Sequence, residues 1–350
     1  MPPAKRRART YDYAKIRAAV LTQFGHVREG VRGLSDEQLA RPTHLGDWTV
    51  RELAAHVTMA VETVSRNLDR QEAGGLGSGG PGSDGSALDG PGSDMPGPHG
   101  PEPTRPASSR PESALPASGP PESVGPESTR PQPALPEPGP PESVGPESTR
   151  PESARTEPAP RALALLDWPF ATAGRAPDIA DDSRELAERN PDLDALYART
   201  EQRITERLAT APDDRLIAAR TGVMTLADYL VTRTVELVVH TDDLNRAVPG
   251  LEIPYDRQAL AACTRLLADA LAAKAPGAST EVRIPPYAVV QCVEGPRHTR
   301  GTPPNVVETD PLTWIRLATG RTEWKTALDD AKVSASGERA DLGGLLPLMG

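Results

Sequence analysis

The chain has 350 residues with 39 Lys plus Arg against 49 Asp plus Glu, a formal net charge of −10, and an uneven load of 39 Pro and 30 Gly. No apolar run approaches the roughly 18–20 residues that a membrane-spanning helix needs, and the two cysteines, Cys263 and Cys292, lack CxxC spacing. A membrane-spanning chain and a disulfide scaffold are therefore excluded, and a reducing cytoplasm is the expected location.

The N-terminal pentapeptide Lys5–Arg9 is basic but runs into Thr-Tyr-Asp-Tyr rather than an apolar signal region. With no aromatic interleaving and no DNA-binding motif behind it, it reads as a solvated tail, and no nucleic-acid partner is expected. Ile16, Val20, Phe24, Val27 and Val31 then recur at helical spacing and predict a helix over Tyr11–Leu34, ended near Gly33. Thr49 with Glu52 three residues on is a capping box, after which Leu53, Val57, Val61, Val64 and Leu68 form the stripe of a second helix. His56 sits on the edge of that stripe.

Residues 72–160 are almost wholly Pro, Gly, Ser, Glu, Ala, Arg and Thr, and the decapeptide PESVGPESTR occurs identically at Pro121–Arg130 and Pro141–Arg150. A repeat with no apolar face cannot stack into a solenoid, so this segment is expected to be a disordered insertion. It carries 13 Asp plus Glu and 5 Arg, net −8, which leaves only −2 for the rest of the chain. The overall acidity thus says little about partners.

Beyond the insertion, Arg161–Phe170 is a short apolar stretch with Trp168, and Asp182–Leu208 is helical with a break at Asn190-Pro191. Thr225–Arg246 is a helix whose inward stripe mixes Leu226, Tyr229, Leu230, Leu237 and Leu244 with Arg233, Glu236, His240 and Asp243. Val231, Val235, Val238 and Val239 make much of its remaining circumference apolar, so it is expected to be surrounded by other elements. Ionisable groups on such a helix must be satisfied, because burying an unpaired charge costs several kcal/mol, roughly. Two arrangements would do this: a closed ion-pair network, or a metal held by Glu236 and His240 at i,i+4 spacing with His56 as third ligand. Four such helices joined by loops predict an antiparallel bundle with the insertion between its second and third helices.

From Pro254 the pattern changes. A helix over Tyr255–Lys274 precedes a β-rich run, Glu281–Val293, kinked at Pro285-Pro286, and a second strand at Asn305–Thr309. Asp310-Pro311 caps a helix over Leu312–Thr319 that stops at Gly320. A short helix at Trp324–Leu328, a strand at Lys332–Ser336 and a helix from about Glu338 complete an α+β unit. The expected domains are residues 10–250 and 251–350.

The segments GDWTVRELAAHV at Gly46–Val57 and LADYLVTRTVELVVHTDDL at Leu226–Leu244 resemble the metal-binding bundle of the mycothiol-dependent maleylpyruvate isomerases, within the wider DinB-like group. The resemblance implies a four-helix bundle in which His56, Glu236 and His240 bind one divalent metal, most simply zinc, with Arg233 and Asp243 orienting them or forming bundle ion pairs. It also implies mycothiol as a cosubstrate whose thiol, activated at the metal, attacks a small electrophile. The pattern D-P-x-x-W-x-x-L-x-x-G at Asp310–Gly320, followed by G-x-x-A-D-L at Gly337–Leu342, resembles the sterol-carrier-like domain fused to this bundle in bacteria. That second resemblance leaves open a carrier of a hydrophobic ligand with a structural or regulatory metal. Arg297, His298 and Arg300, in a loop at Pro296–Asn305, are candidates to receive a carboxylate or are a solvated turn. Arg339 is the candidate arginine that approaches the metal from the C-terminal domain.

Overall fold

A computed structural model of the chain describes residues 9–75, 161–172, 176–219, 221–295 and 304–349. The chain divides into two units, of which Met1–Gly79 with Pro158–Gly350 contains all of these residues. Of the insertion expected to be disordered over residues 72–160, residues 72–75 are instead the end of a helix, and those from residue 76 onward lie outside the described residues, as do Arg297, His298 and Arg300.

Four helices form the bundle: α1 (Tyr13–Arg32), α3 (Val50–Gly75), α6 (Leu193–Thr210) and α7 (Leu226–Ala247). α1 and α3 each pack against both α6 and α7, so the four close a ring around Phe24, Leu53, Tyr197, Ile204 and Leu230. Phe24 and Tyr197 stack at 5.0 Å between centroids, and the Tyr197 hydroxyl donates to the Ala54 carbonyl at 2.8 Å, satisfying a polar group with no exposed surface. The capping box at Thr49 is formed, with the Thr49 amide donating to Glu52 Oε2 at 2.6 Å. It is preceded by a short helix, α2 (Asp36–Leu39), with a capping box of its own at Ser35 and Gln38. Trp168 begins another short helix, α4 (Trp168–Ala171). The region read as one helix broken at Asn190-Pro191 is two, α5 (Ala176–Arg189) lying on α3, and α6, which starts afresh from the Asp192 cap.

α7 is buried on nearly every side, as its all-round apolar pattern predicts, with α1 and α3 on the bundle side and α8 (Arg257–Lys274) on the other. Before it runs a hairpin of two four-residue strands, β1 (Leu216–Ala219) and β2 (Gly222–Thr225), too short to show alternation in the sequence.

α8 also covers the second layer, a four-stranded sheet of β3 (Thr280–Ile284), β4 (Ala288–Cys292), β5 (Val306–Thr309) and β6 (Val333–Ser336) in the order β4-β3-β5-β6. β3 pairs antiparallel with β4 and parallel with β5. The run Glu281–Val293 is thus a hairpin rather than one kinked strand, because Pro285-Pro286 forms its turn. α9 (Pro311–Ala318) starts at the Asp310 cap and stops where Gly320 takes φ +73°, a conformation open to glycine without penalty. α10 (Trp324–Asp329) follows. No helix begins near Glu338; the chain makes only a short 3-10 turn at Gly343–Leu345, since Gly337 at φ +103° and the paired Gly343-Gly344 disfavour a longer one. The chain is a helical bundle followed by a smaller α+β part, and among the described residues no helix is long and apolar enough to cross a membrane.

Candidate metal centre

α3 and α7 lie side by side, and their facing turns bring His56, Glu236 and His240 together, with ligand atoms all within 4.8 Å of one another. Glu236 Oε2 is 3.4 Å from His240 Nε2 and 3.9 Å from His56 Nε2. The two imidazoles meet edge to face with centroids 4.8 Å apart.

The hydrogen bonds behind the rings set what they offer. Asp243 Oδ2 lies 3.0 Å from His240 Nδ1, and a carboxylate accepts, so Nδ1 carries the proton. Ser183, from α5, donates its hydroxyl to the Ile179 carbonyl at 2.6 Å, so at 3.2 Å from His56 Nδ1 its oxygen accepts. Both Nε2 lone pairs therefore face the Glu236 carboxylate. Three acceptors converging on one point repel unless a cation lies among them, and ligand–ligand spacings in a tetrahedral site with bonds of about 2.0–2.2 Å are about 3.3–3.6 Å. The donor set thus fits a divalent ion, with two imidazoles and one carboxylate leaving coordination open toward the cleft.

In the absence of an ion, a proton fills part of this role. Burial disfavours charge on His240, but hydrogen bonds to Asp243 and Glu236 outweigh it and raise the pKa above the ordinary imidazole value. His56 moves the other way, because burial dominates. Glu236 is held well below the carboxylate range: burial opposes this, and its contacts with His240, His56 and Arg233 overcome it. Asp243 is likewise lowered to about 2 against the effect of burial, by His240 and Arg321. Below the His240 pKa, metal binding is expected to displace a proton from His240 in preference to His56. Apparent affinity is expected to fall about tenfold per pH unit below the His240 pKa. Calorimetry in buffers of different ionisation enthalpy should count close to one proton released per ion; two would mean that both imidazoles are charged without metal.

Around the three residues opens a cleft of about 630 Å³. Trp48, Met59, Trp168, Ile179, Tyr229 and Met349 give it apolar walls, and Arg66, Arg184, Arg233, Thr319 and Arg321 supply polar groups. Trp48 meets His56 edge-on at 5.2 Å. Arg233 has its guanidinium 4.4 Å from the Tyr229 ring centroid and 5.9 Å from that of Trp168, and its Nη2 is 3.6 Å from Glu236 Oε1. It joins an ion pair with a metal-facing carboxylate to an aromatic wall.

Asp243 and Arg233, read from the sequence as orienting residues or ion pairs, are each in contact with a member of the triad. Arg339 is not brought to the cleft. The turn at Gly337 leaves it exposed, with its amide on Asn305 Oδ1 at 3.0 Å and its carbonyl accepting from Thr280 at 2.7 Å. The C-terminal arginine that reaches the centre is Arg321, whose Nε and Nη2 grip the two Asp243 oxygens at 3.2 and 3.0 Å. Its position directly after the helix-stopping Gly320 was the available signal. Ser183, an ordinary helix serine, had none.

A family model described as the mycothiol maleylpyruvate isomerase N-terminal domain matches residues 20–118 and 148–245, and one described as a bacterial SCP ortholog matches residues 256–348. No curated protein matches the chain. Two solved structures of the mycothiol-dependent maleylpyruvate isomerase, one of them a point mutant, align over 97% of this chain and 97% of their own, each at 12% identity, with TM-scores of 0.47 and, for the mutant, 0.46. With more than half of its length matched by the first model, the chain belongs to the mycothiol maleylpyruvate isomerase N-terminal domain family, and carries a bacterial SCP-type region after it.

Proposed function

We propose that the protein is a zinc-dependent enzyme that joins a low-molecular-weight thiol, mycothiol, to a small electrophile, as an isomerase or an S-transferase. The observation that carries this reading is the convergence of three ligand atoms, two imidazole nitrogens and one carboxylate oxygen, at one point on the wall of an open cleft. A structural metal site is ordinarily closed by four protein ligands, whereas three with an open side is the arrangement of catalytic sites. A divalent ion held there supplies the positive charge that lets a thiol beside it lose its proton near neutral pH.

The chain's own residues then have definable tasks. Asp243 keeps the His240 proton on Nδ1, and Arg321 holds Asp243 ionised. Arg233 places positive charge beside Glu236, where a carbonyl or carboxylate oxygen of the electrophile would gain negative charge. Trp48, Trp168 and Met349 exclude water and receive the electrophile's apolar portion. In the addition, the sulfur electron pair would form a bond to the carbon β to a carbonyl, the carbon–carbon π pair would become the enolate double bond and the carbonyl π pair would move onto oxygen. Isomerisation follows if the former carbon–carbon double bond, now single, turns and the enolate expels the thiolate again; transfer follows if the carbon–sulfur bond is kept and the enolate carbon takes up a proton, the equivalent of the one the thiol lost.

The carrier alternative is less well supported, because Thr319, Arg321 and Met349 of the C-terminal part face the same cleft as the triad, so the second part completes a shared site. Titration of mycothiol by calorimetry into zinc-loaded and zinc-stripped protein tests the reading. One thiol per chain is expected in the loaded form alone. Equal heats in both forms would remove the metal from thiol binding, and none in either would remove the thiol from the function.

A further inference from the structure

The two histidines of the centre are anchored by different means. His240 takes its Nδ1 partner, Asp243, from three residues along the same helix, so its ring is oriented by α7 itself. His56, on α3, takes its partner from another helix: Ser183 on α5, which supplies no ligand. Both members of this bond are buried, and Ser183 has no exposed surface at all. The single Ser183 proton is spent on the Ile179 carbonyl, which leaves its oxygen as an acceptor aimed at His56. Among the described residues no other hydrogen-bond partner faces that nitrogen. Beside Ser183 on α5, Arg184 lines the cleft with its Nε 3.3 Å from Glu52, and Ala187, one turn on, is buried with it.

We propose that Ser183 is a positioning residue of the metal centre: by accepting from His56 Nδ1 it fixes the tautomer that turns the Nε2 lone pair to the ion, and so couples the docking of α5 on α3 to metal occupancy. The inference rests on the metal reading above. Coupling of this kind is reciprocal, so whatever α5 contributes to metal affinity, the metal returns to α5 as stability. Groups that hold the far nitrogen of a metal-bound histidine are typically worth about 10–100-fold in affinity.

The test uses the full chain and Ser183→Ala, with Ser183→Thr as the variant that keeps the acceptor. Nitrogen-15 NMR of the metal-free proteins should show His56 protonated at Nδ1 in the wild type and a mixture of tautomers in Ser183→Ala. Zinc affinity, measured by competition with a chelator, should fall about 10–100-fold in Ser183→Ala and recover toward the wild-type value in Ser183→Thr. Zinc should slow amide exchange in α5 of the wild type and not of Ser183→Ala. If zinc binds the wild type and Ser183→Ala within twofold of each other, or if the Nδ1 tautomer persists in Ser183→Ala, the role of Ser183 is overturned while the metal centre stands. A lowered melting temperature with unchanged tautomer and affinity counts against it in the same way. A wild type that binds no zinc overturns the metal reading itself.

Discussion

Replacing His240 by alanine will reduce the metal content of the protein from about one divalent ion per chain to none. Its Nε2 lies 3.4 Å from Glu236 Oε2, closer than His56 Nε2 at 3.9 Å, so it forms the tighter edge of the site. Two ligands on separate helices would remain, too few for a site that starts with three. The loss in affinity should exceed the roughly 10–100-fold that removal of a supporting hydrogen bond causes. The fold should survive, because Asp243 keeps its paired hydrogen bonds from Arg321. Elemental analysis with a chelator competition, alongside circular dichroism, measures both. A full complement of metal in a folded His240→Ala protein would show that the ion is held elsewhere.

The second large effect concerns Arg316, beside α7 but away from the ligands. It donates to both oxygens of Asp242 at 2.8 and 2.6 Å, and Asp242 is almost completely buried. Among the described residues, removing Arg316 leaves that carboxylate with only the Tyr255 hydroxyl at 3.2 Å. An unpaired buried charge of this kind costs on the order of 3 kcal/mol or more. Arg316→Ala should therefore lower the urea midpoint substantially, and Arg316→Lys, which keeps the charge but loses the two-pronged geometry, should fall between. A change below about 1 kcal/mol would mean that water reaches Asp242 and that the clamp contributes little. The neighbouring clamps Arg316–Asp242 and Arg321–Asp243 grip consecutive residues of α7, one for stability and one beside the candidate ligand His240.

Much of this arrangement was legible in the chain. The helical stripes gave α1 and α7 nearly to their ends and α3 up to Leu68, short of its end at Gly75, because burial of one face repeats locally every three or four residues. The caps at Thr49 and Asp310 are in place, since a cap is a bond between residues two or three apart. The pairing of Glu236 with His240 follows from i,i+4 spacing alone. The hairpin β1–β2 escaped notice because four residues per strand carry too little alternation. The turn at Pro285-Pro286 was taken for a kink because either use of proline satisfies the same local pattern.

What the sequence by itself determined is therefore the main helices and the three candidate ligands of the centre: Glu236 and His240 on one face of the buried charged helix, and His56 on the stripe of α3. The tertiary structure alone decided which residues complete it. Ser183 joins behind His56 from α5, and Arg321 rather than Arg339 joins from the C-terminal part. These contacts depend on how helices lie against one another and where the chain turns after Gly320, and packing across such sequence distances leaves no periodic trace in the residues themselves.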